Sequence, residues 1–219
     1  MKLPTPRTAS VAATLAVILW TVDHAAWAGD WPQFLGPTGD GVSLETGLVD
    51  TWDASGPSRH WTREIGTGYS APSIVGNRII LHHRVGDEEI VEALRVSDGE
   101  SLWQRSYPTE FIDPYGYNNG PRCAPTIVED HVYTFGAEGI LACWDLESGD
   151  ALWRVDTQEK WTVPQAFFGV GSAPPAVGER LYVMVGGQPH SGTVALNKNT
   201  GAVRWETVGA ATWARAPMN

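Results

Sequence analysis

The apolar residues of this 219-residue chain fall in short runs, separated by turns rich in Gly and Asp. The stretch 123–156 shows the pattern best. "APTIV" is a short apolar run, "HVYTFG" is β-branched and aromatic, "ILACWDL" follows, and "ALWRVD" closes the series. Between them stand "ED", "AEG" and "ESGD", in which Gly139 and Gly149 can supply the left-handed residue of a tight turn. Four short strands joined by tight turns predict an antiparallel meander. The same parse fits 71–107 and 172–207. The middle turn varies, "GDEE" in the first copy and "GGQPHSG" in the third, as a surface loop allows.

The pattern is a true repeat. "ALRVSDGESLW" (93–103), "CWDLESGDALW" (143–153) and "ALNKNTGAVRW" (195–205) each place Gly four residues before Trp. The pairs are Gly99 and Trp103, Gly149 and Trp153, and Gly201 and Trp205, with the tryptophans 50 and 52 residues apart. A second phrase keeps step: "SAPSIV" from Ser70, "CAPTIV" from Cys123 and "SAPPAV" from Ser172. Two phrases locked to one period of about this length, with strand-like content, predict a propeller-type array. The tryptophans then have a structural role. A large ring on an outer strand fills the wedge between two blades and donates its N–H to a carbonyl, while the glycine forms the hairpin that presents it.

This pattern resembles the pyrroloquinoline-quinone-like (PQQ-like) β-propeller repeat family, whose tryptophan-docking motif reads Ala-x-Asp-x-x-Thr-Gly-x-x-x-Trp. The Asp place is kept at Asp145 but holds Arg95 and Asn197 in the other copies; the Thr place is kept at Thr200 but holds Asp98 and Ser148. The opening "DWPQFLGPTGDGVSLETGLVDTW" and "GTGYSAPSIV" resemble the start of secreted bacterial members. The resemblance implies an all-β propeller of four-stranded antiparallel blades. About three blades are complete here, preceded by a segment expected to end in a strand at Trp61. After Trp205, "RAP" (215–217) lines up with the start of another repeat. The array is therefore expected to be partial, with further blades supplied by a longer gene product or a partner chain, because closure takes about six to eight blades.

Charge and the chain start narrow the setting. A formal net charge of −10 without a basic cluster argues against nucleic acid and anionic membrane surfaces. Lys2 and Arg7, the apolar "VAATLAVILWTV" (11–22) and "AWA" (26–28) read as a signal peptide over 1–28, leaving 29–219 as the propeller segment. Export to the periplasm or outside the cell is expected. The two cysteines, Cys123 and Cys143, show no metal-binding spacing and read as small buried residues.

Candidate chemistry lies in the longest irregular stretches, 108–123 and 156–172, which both link the outer strand of one blade to the inner strand of the next. Such loops share one face of a propeller, near the central channel. Tyr115, Tyr117, Asn118, Asn119 and Arg122 in the first, with Trp161, Gln165 and Phe167 in the second, combine ring faces, amides and a cation. That mix suits a sugar, a quinone or a peptide. His82 and His83 are adjacent on a strand and point to opposite faces, so they do not chelate one metal together. Asp87, Glu88 and Glu89 read as a solvated acidic turn. No catalytic residue, metal site or cofactor is assigned.

The family contains both enzymes and non-enzymes. The expected function is a secreted, non-enzymatic propeller that binds a protein or saccharide through its loop face, in the manner of assembly proteins. The alternative is a PQQ-dependent alcohol or sugar dehydrogenase, or a fragment of one, using the quinone and calcium. Many such enzymes carry a disulfide between adjacent cysteines; here the two lie twenty residues apart.

Overall fold

The computed structural model describes residues 29–161, 163, 169–187 and 191–207. Among them, twelve strands form three four-stranded antiparallel sheets. The first contains β1 (Ser73–Val75), β2 (Arg78–Val85), β3 (Glu88–Arg95) and β4 (Ser101–Pro108). The second contains β5 (Thr126–Val128), β6 (His131–Phe135), β7 (Ile140–Asp145) and β8 (Ala151–Asp156). One helical turn, α1 (Thr157–Lys160), follows, capped by the Asp156 carboxylate. The third sheet contains β9 (Ala176–Val177), β10 (Arg180–Gly187), β11 (Ser191–Asn197) and β12 (Val203–Thr207). Each is a simple meander in sequence order.

The middle sheet buries both faces, which explains its nearly continuous apolar strands. Successive residues point to opposite sides. Val132, Ile140, Ala142 and Trp144 pack on Ile80, Val91, Ala93 and Trp103 of the first sheet. Tyr133, Phe135, Leu141 and Cys143 pack on Leu181, Val183, Val194 and Leu196 of the third. Cys123 and Cys143 are both buried within this second cluster. Neighbouring innermost strands are also tied by polar bonds: Ser73 Oγ donates to the Pro125 carbonyl at 2.6 Å and Ser70 Oγ to the Cys123 carbonyl at 2.8 Å.

The hairpin between the third and fourth strands of each sheet is built the same way. Gly99, Gly149 and Gly201 take φ of 73°, 73° and 68°, where a side chain is strained. Each donates its N–H four residues back, to Arg95, Asp145 and Asn197. Asp145 and Asn197 also accept turn N–H groups with their side chains, Asp145 from Ser148 at 2.7 Å and Asn197 from Thr200 at 3.0 Å. The Arg95 side chain has no acceptor. It holds the equivalent turn from outside, by ion pairs to Asp98 and Glu100.

These glycines serve the ring of the preceding repeat as well as their own hairpin. Trp103 Nε1 donates to the Leu146 carbonyl at 3.0 Å and its ring lies on Gly149; Trp153 Nε1 donates to the Lys198 carbonyl at 2.9 Å and its ring lies on Gly201. A small residue sits opposite each tryptophan in the ladder: Ala93 faces Trp103, Cys143 faces Trp153 and Ala195 faces Trp205. Trp61 makes the same contact with the first sheet, donating to the Val96 carbonyl at 2.8 Å and lying on Gly99. The strand expected to end there is not formed. Residues 29–72 contribute only the bridges Trp31–Ile74 and Thr67–Arg84. The ring contact survives without the ladder because it needs only one carbonyl and one bare glycine.

Candidate functional site

The loop 109–122, between β4 and β5, is organised by two buried charges. Arg84, near the end of β2, is 6% exposed and its guanidinium reaches under the loop. It donates to the carbonyls of Asn119 at 3.2 Å and Thr109 at 3.4 Å, to that of Phe111, and to the Asp87 carboxylate at 3.2 Å. A guanidinium with several fixed donors suits this collection of orphan carbonyls. Asp113, 3% exposed, does the converse. Its carboxylate accepts the N–H of Tyr115 at 2.9 Å and of Asn118 at 3.2 Å, and Arg122 Nη2 at 3.4 Å. The Tyr115 N–H is the main cause holding this carboxyl below its usual range.

The sequence candidates therefore divide. Asn118, Asn119 and Arg122 hold the loop in shape. Asn119 Oδ1 accepts the Asp113 N–H at 2.9 Å, and Asn118 Oδ1 accepts the Gly120 N–H at 2.8 Å. Arg122 donates to the carbonyls of Gly120 and Asn118 and lies over the Phe111 ring, 4.7 Å from its centroid. Burial lowers its pKa, with Asp113 opposing the shift. Tyr115 and Tyr117 instead face outward, 51% and 71% exposed, with near-parallel rings 6.1 Å apart. Arg122 and Cys123 also line a cavity of about 240 Å3 with Phe34, Ala124 and Ser172, where the inner strands of the second and third sheets begin.

Trp161 is a core residue. It is 7% exposed, packs in the cluster between the second and third sheets, and donates to Glu206 at 3.0 Å. Gln165 and Phe167 lie outside the described residues, as does the signal-peptide segment 1–28.

Two buried histidine–glutamate pairs complete the inventory, and sequence reading missed both. Glu89 is not part of a solvated turn. Asp87 and Glu88 are exposed, but Glu89 is fully buried on β3. Its Oε2 accepts the Tyr107 hydroxyl at 2.6 Å and contacts His82 Nε2 at 3.1 Å; its Oε1 accepts the Ala137 N–H of the second sheet at 2.8 Å. Burial pushes its pKa up, but the His82 contact and the other donors outweigh that and hold it below the usual value. Tyr107 is pushed well up, first by burial and then by Glu89. On the opposite face, His83 Nδ1 accepts the Gly66 N–H at 3.0 Å, so Nε2 carries the proton and donates to Glu92 Oε1 at 3.2 Å. Arg63 pairs with the other Glu92 oxygen at 2.8 Å. The two histidines do point apart. The available signal was alternation: Glu89 shares its face with Val91 and Ala93, and Glu92 with Ile90 and Leu94.

Among the described residues, no three His, Cys, Asp or Glu side chains converge as a metal-binding group. The buried carboxylates Asp113 and Glu89 accept N–H and O–H donors of the fold itself. No described helix is long and apolar enough to cross a membrane.

Successive four-stranded sheets joined by tryptophan-on-glycine contacts define a β-propeller blade array. Residues 117–216 match the family model described as outer membrane protein assembly factor BamB, which places this stretch in the PQQ-like β-propeller repeat family. Among solved structures, the quinohemoprotein alcohol dehydrogenase from Comamonas testosteroni is 17% identical, with a TM-score of 0.54 over 82% of this chain and 27% of that one. At that identity the likeness is one of fold. The quinohemoprotein alcohol dehydrogenase from Pseudomonas putida HK5 is 20% identical, with a TM-score of 0.49 over 68% of this chain and 22% of that one. BamB from Moraxella catarrhalis is 18% identical, with a TM-score of 0.42 over 68% of this chain and 54% of that one. The chain thus spans between 22% and 54% of the length of these proteins. None of the curated proteins matches it.

Proposed function

We propose that this chain is an exported, non-catalytic PQQ-like propeller segment that binds a ligand or protein through the face carrying loop 109–122. The observation that carries this reading is how that loop uses its side chains. Asp113, Asn118, Asn119 and Arg122 brace the backbone, and the Tyr115 and Tyr117 rings between them stay half-exposed and largely exposed. A braced loop that presents aromatic surface is built for recognition, since its residues are ordered before a partner arrives. The strongest acid–base pairs, His82 with Glu89 and His83 with Glu92, support the same reading. They are buried against the blades and bonded to the Ala137 and Gly66 amides.

The test is turnover. The 219-residue chain, supplied with the quinone and calcium, is offered alcohols and sugars with an artificial electron acceptor. No quinone-dependent reduction is expected. Clear quinone-dependent reduction would replace this reading with a dehydrogenase.

A further inference from the structure

We propose that this chain pairs head to tail with a second copy of itself, Trp205 of each copy docking on Gly56 of the other, so that two chains close one ring. The proposal concerns the two ends of the blade array and is independent of ligand binding at loop 109–122.

One docking ring is left over. Trp61, Trp103 and Trp153 lie on Gly99, Gly149 and Gly201, where an added Cβ would come within 2.7, 2.5 and 2.8 Å of the indole. Trp205 is the fourth ring of the series. It is 39% exposed, and its N–H reaches no carbonyl among the described residues. Its ring lies beside Tyr182, with centroids 6.0 Å apart. Leu181, Val183 and Val194 point to the second sheet, so alternation turns Val177, Tyr182, Met184 and Trp205 to the other face. Val177 and Met184 are exposed there. The equivalent face of the second sheet, with Tyr133, Cys143 and Trp153 in the same register, is covered by the third.

One docking glycine is also left over, in a turn that the repeat spacing does not reveal. The Gly56 N–H donates to the Asp53 carbonyl at 3.1 Å, and the Ser55 N–H and hydroxyl donate to the Asp53 carboxylate. The blade hairpins are bonded alike: Ser148 donates both groups to Asp145, and Thr200 donates both to Asn197. Gly56 holds φ at 74°, beside 73° and 68° for Gly149 and Gly201. Its turn is one residue shorter, and its tryptophan, Trp61, follows after five residues instead of four. Nothing lies within 4 Å of a Cβ placed on Gly56, so this glycine is bare. Leu48, Val49 and Trp52, just before the turn, are exposed.

The count selects the occupant. A partner must bring a glycine for Trp205 and a ring for Gly56, and a second copy brings both. Gly99 is already covered by Trp61, so copies do not join one blade further in. Each chain holds four glycine–tryptophan units, from Gly56–Trp61 to Gly201–Trp205. Two chains hold eight, within the range at which propellers close, and a third copy would exceed it. Head-to-tail contacts end in a ring where the rotation closes.

The experiment is sedimentation velocity of the 219-residue chain from about 1 to 100 μM. A species of twice the chain mass is expected, with nothing larger as the concentration rises. Trp205→Ala and Gly56→Asn are each expected to raise the dimer dissociation constant at least about tenfold. Asparagine accepts the left-handed conformation, so the second variant keeps the turn and fills only the space the indole needs. Neither residue belongs to a core cluster, and an unchanged circular dichroism spectrum and melting temperature confirm folding. A monomer at the highest concentration overturns the proposal. So does a dimer that withstands Gly56→Asn, which places two third sheets face to face, a dimer that withstands Trp205→Ala, or a series that grows with concentration, in which the ends do not close. None of these results touches the reading of loop 109–122, which quinone-dependent turnover decides.

Discussion

The indole of Trp103 lies directly on Gly149, 46 residues later in the chain: a Cβ placed on that glycine would come within 2.5 Å of the ring. Gly149 also holds φ at 73°. Both constraints fall on one residue, so Gly149→Ala is expected to lower stability by about 2–4 kcal/mol in chemical denaturation. Combining it with Trp103→Ala tests the contact. The double variant should lose less than the sum of the two single losses, because the smaller side chain removes the clash.

One link between the first and second sheets is an ionised buried carboxylate. Glu89 accepts from Tyr107, His82 and the Ala137 amide, and its pKa is held below the ordinary 4.5. A carboxyl with a lowered folded pKa contributes stability above its unfolded pKa and loses it as the pH falls through the folded value. Glu89→Gln should therefore be less stable than the native chain at pH 7, by about 2–4 kcal/mol. The difference should shrink as the pH is lowered from about 4.5. Urea titrations of both proteins across that range measure it.

Cys143 should be chemically silent while the protein is folded. It is fully buried, and burial pushes its thiol up to about 12. Iodoacetamide at about pH 8 should label it only after unfolding, as read by mass spectrometry. Cys143→Ala should cost under about 1.5 kcal/mol, since alanine already holds the matching place at Ala93 and Ala195.

Arg84 is the hidden anchor of the candidate site. Its donors hold the carbonyls of Thr109 and Asn119 from beneath. Arg84→Met should raise amide hydrogen exchange across 109–119 at least about tenfold and leave β6 and β7 protected.

The blades were legible because one signal fixed both strand and turn. The apolar run "HVYTF" and Gly149 recur in register, and β6 and β7 fall within a residue of the runs that foretold them. Glu89 was not legible as a buried residue. Adjacent acids beside a glycine look like a turn, and the groups that offset the cost of burial come from other strands and the next sheet: His82 first, then the Tyr107 hydroxyl and the Ala137 amide. Trp61 shows the opposite failure. The ring was foreseen on a strand, yet it reaches its carbonyl from an irregular segment, because the contact and the ladder are separate interactions. Tyr115 and Tyr117 could be named from sequence, but their exposure depends on Asp113 and Arg84, which alternation along a strand does not reveal.

Every one of these ring contacts points the same way along the chain. Trp61, Trp103 and Trp153 each wait for a glycine 38, 46 and 48 residues further on. During synthesis at about 5–20 residues per second, each of these indoles therefore spends roughly 2–10 s waiting for the glycine that covers it. That interval is when a chaperone, or a stray neighbour, meets this protein first.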